Sequence, residues 1–288
     1  MLKNTFCHLP GFGEKLEAYL WTKGVTTWDG VLDSSFVPVR KRTQPFRDFI
    51  AESAKRLQNS DVNWFAGFLP VNEHWRMFGE FSRSVAYLDI ETNGLAGRSG
   101  YITTISLYDG ERVHYYVKGR NLDKFTSDIK KFKLLVTYNG KCFDVPFIES
   151  QFRIKLNQAH IDLRHVLASL GFTGGLKGCE KSLGIDRDEL SGLDGYFAVL
   201  LWNDFQRTRS SLTLDTLLAY NIQDAVSLET LMVTAYNLKL KKTPFQNTHN
   251  ISLPAQPKLP FKADTETIRS VMKKNYRYSA KLKDFRLP

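Results

Sequence analysis

Residues 85–95 read V-A-Y-L-D-I-E-T-N-G-L, and they decide the fold and the chemistry that we expect of this chain. Side chains alternate between the two faces of a β-strand, so Asp89 and Glu91 share one face. Two carboxylates this close repel each other, and ionising both in an apolar setting is costly unless a cation or a shared proton offsets the charge. A divalent metal ion is the usual remedy. For an isolated D-x-E, the alternative is a solvated strand end before an Asn-Gly turn.

Length and composition predict a globular protein with one core and added pieces, or with two domains. The chain has 288 residues, of which 42% are hydrophobic and 24% charged, and a typical single domain has roughly 100 to 200 residues. No apolar run approaches the roughly 18 residues of a membrane helix, and the N-terminus does not resemble a signal peptide. We therefore expect a soluble cytoplasmic protein without a membrane partner, most simply a monomer. The three cysteines have no paired spacing, which argues against a zinc site or a disulfide framework.

The positive charge of the chain is concentrated at its C-terminus. The net charge is +10, but residues 241–288 hold 11 Lys and Arg against 3 Asp and Glu, which leaves 29 against 27 for the rest. Basic and aromatic residues alternate there, as suits phosphates and stacked bases. We expect nucleic-acid contacts from Lys273, Lys274 and Arg277. A solubilising or disordered tail is the alternative.

Three parts are predicted along the chain. Residues 1–80 read as a small helical module, residues 81–240 as the main α/β domain, and residues 241–288 as a basic segment containing prolines. The module opens with L-P-G-F-G at residues 9–13, which resembles the hairpin of helix-hairpin-helix proteins, where glycine N–H groups meet a phosphate. Glycines also serve any tight turn, so a purely structural hairpin is equally compatible with this sequence.

The main part predicts a mixed sheet. After the acidic strand, residues 101–108 and 112–117 read as two further strands of an antiparallel meander, joined by a two-residue turn at Asp109-Gly110. Residues 121–132 read as a helix, residues 134–138 as a buried strand, and residues 159–161 as one more short strand. Helical patterns dominate thereafter. The sequence therefore predicts an α/β domain whose sheet is flanked by helices.

Two further stretches contain carboxylates. Residues 138–148 read Y-N-G-K-C-F-D-V-P-F-I, and Asp144 stands just before Val-Pro, where an Asp often caps a helix. The helix predicted from about residue 211 to 238 contains Tyr220 and Asp224, four residues apart and hence on the same side, among its apolar positions. A carboxylate on an apolar helix face needs a partner, which an arginine or a backbone group would also supply.

Together the three stretches resemble the DEDD exonucleases. Residues 89–91 match the first motif D-x-E, residues 139–144 match N-x-x-x-[FY]-D, and residues 220–224 match Y-x-x-x-D. Ala219 stands where one branch of these enzymes has a histidine, and Tyr220 marks the tyrosine branch, DEDDy. The strings D-I-E-T-N-G-L, T-Y-N-G-K-x-F-D-x-P and L-K-x-x-E-K-x-L-G-I further resemble the YprB-like group of predicted nucleases, over about residues 84–238. The resemblance implies a ribonuclease H-like fold.

The resemblance also implies a metal-dependent 3′-to-5′ exonuclease that acts on single-stranded nucleic acid, with DNA favoured over RNA. Two divalent ions, Mg²⁺ or Mn²⁺, would flank the scissile phosphate. We expect Asp89 to bridge both ions, Glu91 and Asp224 to hold the ion that activates water, and Asp144 to act mainly through a water molecule. Tyr220 would orient the attacking water.

Other polar residues have more than one interpretation. Thr92 and Asn93 follow Glu91 closely enough to contact a terminal nucleotide, and Asn139 belongs to the second motif; a turn is the alternative for Asn93. Lys177 is expected near phosphate or on a solvated helix face. Asp162 is predicted as a helix N-cap, and His160 as structural, because hard divalent ions prefer oxygen.

Two alternatives belong to other functional classes. The first is a non-catalytic nucleic-acid-binding module that keeps the fold, although a complete set of buried acids without a task would be a burden. The second is an interaction subunit that recruits a repair or processing factor through its basic tail. A ribonuclease acting on RNA 3′ ends also stays open.

Overall fold

The computed structural model describes residues 1–36 and 43–275, and its centre is a mixed sheet. Within these residues the strands are β1 (Val85–Thr92), β2 (Ile102–Tyr108), β3 (Val113–Val117), β4 (Leu134–Thr137) and β5 (Ala159–Asp162). Their order is β3-β2-β1-β4-β5. Strands β1, β2 and β3 pair antiparallel, whereas β1, β4 and β5 pair parallel. The predicted meander with the acidic strand first is confirmed, and so is the α/β class.

Helices precede and flank the sheet. Those before it are α1 (Glu14–Thr22), α2 (Trp28–Asp33), α3 (Gln44–Gln58), α4 (Val62–Phe68) and α5 (Phe78–Phe81). Those within and after it are α6 (Phe125–Asp128), α7 (Asp144–Phe152), α8 (Leu163–Ala168), α9 (Gly175–Ser182), α10 (Gly195–Thr208), α11 (Ser211–Leu240), α12 (Gln246–His249) and α13 (Thr265–Lys273). Short 3₁₀ turns connect several of them, the longest being Val71–Met77.

The strand β1 separates two apolar cores, as its alternation predicts. Val85 and Tyr87 belong to a large core that also contains apolar residues of α11 and of the N-terminal helices. Ala86, Leu88 and Ile90 face a smaller core on the other side of the sheet. Because both faces are covered, nearly every residue of β1 is buried. The carboxylates of Asp89 and Glu91 therefore lie on the side of the large core.

Helix α11 is the longest element of the described chain. Its 30 residues give a length of about 45 Å. Ser210 caps it by accepting a hydrogen bond from Thr213 N. The sequence predicts one apolar face, but α11 packs against the sheet and against α8, α9, α10 and α13, so buried residues occur around most of its circumference. No helix among the described residues is long and apolar enough to cross a membrane.

Two local predictions differ from the structure. The β2–β3 connection is a four-residue loop rather than a two-residue turn, since Tyr108 pairs with Val113. The carboxylate of Asp109 accepts hydrogen bonds from Glu111 N and Arg112 N at 2.9 and 2.7 Å, which stabilises the wider loop. Residues 122–131 are helical, close to the predicted 121–132, but only α6 in the middle is α-helical and a 3₁₀ turn lies on either side. The Asn121 side chain accepts from Val117 N and donates to Tyr115 O, which ties the start of this segment to β3.

Arg76 connects the N-terminal residues to the segment that leads into the sheet. It donates to Glu17 Oε1 at 2.6 Å and to Thr5 Oγ1 at 3.0 Å, and it also pairs with Glu73. All three charged side chains are almost completely buried. Since neither carboxylate reaches water, the guanidinium is what makes their burial tolerable.

We expect Arg76→Met to lower the free energy of unfolding by about 3–5 kcal/mol, because it leaves two buried carboxylates without their cation. Chemical denaturation followed by circular dichroism measures this change. The control is Arg56→Met: Arg56 also pairs with two carboxylates, but its side chain is 42% exposed, so its loss should cost at most about 1 kcal/mol. Equal losses in both variants would contradict the prediction.

Candidate active site

Three carboxylates meet where β1 passes α11. Asp89 and Glu91 come from β1, Asp224 comes from α11, and one ligand oxygen from each lies within 4.8 Å of the others. Glu91 and Asp224 are buried, and Asp89 is only partly accessible. Asp224, which the helical periodicity places on the same side as Tyr220, therefore lies next to the two carboxylates of β1.

Asn221 holds Asp89 in this cluster. Its Nδ2 donates to Asp89 Oδ2 at 2.6 Å, and its Oδ1 accepts from Ser106 Oγ on β2 at 2.8 Å. The side chain is fully buried, so both ends of the amide are satisfied within the protein. Asn221 is not among the residues predicted from the sequence. The available signal is an amide in an apolar helical run, one turn before Asp224.

Asp144 lies beside the cluster rather than within the group of three. It is the first residue of α7, whose N-cap is Phe143, so the capping interpretation of Asp144 is wrong. Its Oδ1 instead accepts a hydrogen bond from Ile90 N on β1 at 3.2 Å. The backbone between Asp89 and Glu91 thus fixes the fourth carboxylate of the motif set.

The loop before Asp144 is held by Asp162, the predicted N-cap at the end of β5. Asp162 caps α8 through Arg164 N, and it also accepts from Asn139 N at 2.7 Å and from Lys141 N at 3.2 Å. Gly140 packs so closely that a Cβ there would lie 2.3 Å from Thr137 Oγ1. A side chain at this position would therefore displace Thr137, whose Oγ1 accepts a hydrogen bond from Gly140 N at 3.1 Å.

A buried ion-pair network supports Asp224. Arg187 donates to Asp224 Oδ1, and its Nη1 lies 2.9 and 2.8 Å from the two carboxylate oxygens of Glu180 on α9. Glu180 also accepts from Ser227 Oγ at 2.5 Å. The charges of Asp224 and Glu180 outweigh the lowering effect of burial and raise the pKa of Arg187. Arg187 is not among the residues predicted from the sequence; the signal that could have pointed to it is Glu180, the acidic residue of the string L-K-x-x-E-K-x-L-G-I.

Tyr220 and Lys177 lie next to this network. The Lys177 ammonium bonds to the Tyr220 hydroxyl and lies 3.8 Å from Asp224 Oδ2. The Tyr220 ring is fully buried, with Lys177 Nζ 4.2 Å and Arg187 Cζ 5.5 Å from its centroid. Lys177 therefore faces the carboxylate cluster instead of forming a solvated helix face.

Burial raises the pKa of Asp89 well above its usual range, and the charges of Asp224, Glu91 and Asp144 raise it further. The pKa of Glu91 is likewise raised well above normal, first by burial and then by Asp224, while Lys177 opposes the shift. Burial also raises the pKa of Asp144 to about 7. The ionised forms of these carboxylates are therefore disfavoured unless a cation lies close to them.

The donor set fits a hard divalent ion. All close ligand atoms are carboxylate oxygens, which Mg²⁺ and related ions prefer. Burial and the neighbouring carboxylates raise the pKa values of Asp89 and Glu91, and a bound metal ion would favour their ionised forms. Arg187 and Lys177 also supply positive charge, but both lie on the Asp224 side.

The remaining predicted contact residues lie in different surroundings. Thr92 and Asn93 follow Glu91, but the Asn93 amide is engaged in the β1–β2 loop, where it accepts from Tyr101 N at 3.0 Å and donates to Ser99 O at 2.9 Å. Arg164 donates to Asn139 Oδ1 at 2.6 Å. Lys273 and Lys274 are exposed at the end of α13, where Lys274 pairs with Asp204 on α10. Arg277 lies outside the described residues.

The raised pKa of Asp144 predicts a pH-dependent stability. A carboxyl group whose pKa is higher in the folded state contributes stability at low pH, and this is lost as pH rises through about 7. In EDTA, Asp144→Asn should therefore gain stability relative to the native protein as pH rises from about 4 to 8, because Asn keeps the acceptor for Ile90 N without ionising. Urea unfolding of both proteins across this range measures the difference; a difference independent of pH would contradict it.

The match of a protein family to the chain agrees with this architecture. No curated protein matches the chain in sequence. Among solved structures, the chain is similar to a family B DNA polymerase from the hyperthermophilic archaeon Pyrobaculum calidifontis, with a TM-score of 0.43 and 16% identity over 58% of this chain and 27% of that chain. The family RNase_H_2, described as RNase_H superfamily, matches residues 86–236. This match covers just over half of the chain and includes all of the sheet except Val85, so the predicted ribonuclease H-like fold is confirmed and the protein belongs to the RNase_H superfamily.

Proposed function

We propose that the protein is a metal-dependent 3′-to-5′ exonuclease of the DEDDy type, similar to the YprB-like group, that degrades single-stranded nucleic acid, with DNA favoured over RNA. The observation that supports it best is the cluster of Asp89, Glu91 and Asp224, whose ligand oxygens lie within 4.8 Å of one another. Membership of the RNase_H superfamily supports a nuclease in general. The exonuclease direction and the subtype rest on the three motifs.

The carboxylates of the cluster would hold the metal ions. Asp89, Glu91 and Asp224 are the proposed direct ligands, and Asp144 would act mainly through water, since its Oδ1 is engaged by Ile90 N. When bound, two divalent ions would lower the pKa of a water molecule and stabilise the departing oxygen of the phosphodiester. Either Mg²⁺ or Mn²⁺ would suit these oxygen ligands.

Arg187 would fix the orientation of Asp224. It engages Asp224 Oδ1 and is itself held by both oxygens of Glu180. Asp224 Oδ2, which faces Lys177 at 3.8 Å, is the oxygen left for a ligand. Arg187 therefore acts as a positioning residue.

Tyr220 would orient the attacking water. Because Lys177 can only donate, the Tyr220 hydroxyl accepts from it. The hydroxyl proton then remains available for another acceptor, which we propose to be the oxygen of the attacking water. In the same proposal Thr92 and Asn93 contact the terminal nucleotide, Lys177 contacts a phosphate, and Asn139 contacts the nucleic acid. The segments 1–80 and 241–288 flank a nuclease domain of residues 81–240.

The direct test is cleavage of labelled single strands. End-labelled DNA and RNA oligonucleotides, incubated with Mg²⁺, Mn²⁺ or EDTA, should be shortened from the 3′ end only when a metal is present. A 5′ label would show a ladder of progressively shorter products. Binding without cleavage under any metal would favour the non-catalytic module.

Removing any carboxylate of the set should abolish most cleavage. We expect Asp89→Asn, Glu91→Gln, Asp144→Asn and Asp224→Asn each to lower the rate by more than about a hundredfold, because the four groups act as one metal-holding unit. Initial rates on a labelled single strand measure this. Asp215→Asn on the same helix is the control and should retain the native rate. Near-native rates in two of the four variants would overturn the assignment.

Tyr220→Phe should lower kcat by about a hundredfold while KM and the affinity for Mn²⁺ stay nearly constant, the behaviour of an interaction made mainly in the transition state. Single-turnover kinetics and a Mn²⁺ titration separate the two effects. Tyr236→Phe removes a hydroxyl from another buried position of α11 and should have little effect on kcat. A large loss of metal affinity in Tyr220→Phe would instead make Tyr220 a structural residue.

A further inference from the structure

A second concave site lies on the same side of the sheet as the carboxylates. It is a cavity of about 370 Å³, lined by aromatic residues and by cations: Tyr101, Trp202, Phe205, Lys118, Arg120 and Arg209. Trp202 Nε1 donates to Tyr101 Oη at 3.2 Å, which fixes the aromatic floor. We call it the α10 pocket, because α10 forms one wall. It is separate from the carboxylate cluster and from the exposed lysines of α13.

The α10 pocket adjoins the end of β1 that contains Glu91. Thr92 pairs with Ile102, Tyr101 directly precedes that residue, and Lys118 N donates to Thr103 O at 2.9 Å. Neighbouring strands lie about 4.8 Å apart, so the end of β3 is about 10 Å from Glu91 across β2. Nucleotides in a stacked strand rise about 3.4 Å each, so this distance corresponds to about three nucleotides.

Helix α10 runs from the carboxylate side towards the pocket. Val199 packs against the turn after β1, where a Cβ on Gly94 would lie 3.0 Å from it. Trp202 follows Val199 by three residues and Phe205 follows Trp202 by three, so each is a neighbour of the one before it on the helix surface. One surface therefore leads from the turn next to Glu91 to the aromatic floor.

The three cations are placed by aromatic rings rather than by carboxylates. Lys118 Nζ lies 4.3 Å from the centroid of the Tyr101 ring, and the guanidinium carbons of Arg120 and Arg209 lie 5.7 and 5.8 Å from that of Phe205. Within residues 1–36 and 43–275, none of the three forms an ion pair. Two nearby cations do form ion pairs: Arg207 and Lys274 both contact the Asp204 carboxylate, at 2.6 and 3.1 Å.

Three unpaired cations around one cavity match a polyanion. Cation–π contacts restrict where each cation lies while its charge stays available, and a basic groove with aromatic residues is typical of proteins that bind single-stranded nucleic acid. We propose that the α10 pocket binds phosphates of the substrate strand about three nucleotides upstream of the bond cut at the carboxylate cluster. This inference rests on the proposed nuclease function, because that function places the 3′ end at the carboxylates.

The test compares short and long strands. In an Asp89→Asn background, which prevents degradation, the triple variant Lys118→Gln, Arg120→Gln, Arg209→Gln is compared with the parent by fluorescence anisotropy, using a labelled oligothymidylate dinucleotide and decanucleotide at several salt concentrations. Each phosphate contact contributes about 0.7 to the slope of log affinity against log salt. At 0.1 M salt one contact therefore raises the binding affinity about fivefold. Loss of three contacts should weaken decanucleotide binding about a hundredfold and lower the slope by about 2.

Dinucleotide binding should change less than about twofold, because a dinucleotide with its 3′ end at the carboxylates is too short to reach the pocket. The control is Arg207→Gln, which removes the same charge from α10 at an ion-paired position and should leave both affinities nearly constant. Equal losses for both strands, no loss for the decanucleotide, or an equal loss in Arg207→Gln would each overturn the proposal.

The result also separates this inference from the proposed function. If the native protein cleaves no strand but the triple variant still loses decanucleotide binding selectively, the pocket remains a nucleic-acid site and the exonuclease proposal fails. If the native protein cleaves strands from the 3′ end but the variant binds normally, the pocket proposal fails alone.

Discussion

The mutual repulsion of buried carboxylates is the constraint on which the centre of the structure depends. Asp89, Glu91 and Asp224 lie within reach of one ion, and burial together with their mutual charge raises the pKa of Asp89 and Glu91 far above normal. Such a cluster is unfavourable unless neighbours support it. The support comes from Asn221, which donates to Asp89, and from Arg187 and Lys177, which are close to Asp224. Each of these neighbours lies on α11 or packs against it.

Helix α11 explains why the supporting residues converge. It contributes Tyr220, Asn221 and Asp224 within five consecutive positions, and it contacts four strands and several helices. A helix buried on most sides is fixed by its packing rather than by its own propensity. Its rigidity sets the distance between Asp224 and the strand carboxylates, while β2 holds the other end of the Asn221 amide through Ser106. The sheet and the helix thus position the site jointly.

Local patterns in the sequence predicted most of the fold and the acidic residues of the site. The alternation in β1 and the Tyr220–Asp224 spacing are properties of a few neighbouring residues, so they are legible without the structure. Asn221, Glu180 and Arg187 were missed because their partners are distant in sequence: Arg187 meets Asp224 across 37 residues and Asn221 meets Asp89 across 132. The loop at Asp109 and the Asp144 cap failed for a related reason. In both places an aspartate side chain accepts a hydrogen bond from a different backbone N–H than the local motif predicts.

The two cations near Asp224 are not interchangeable. Arg187 is almost completely buried and must satisfy two carboxylates at once, which suits a planar guanidinium that stays charged. Lys177 has a side chain that is 29% exposed, and it offers one compact charge to both Tyr220 and Asp224. The buried arginine consequently fixes the orientation of Asp224, because Glu180 holds the other end of its guanidinium. The lysine, by contrast, is partly open to solvent.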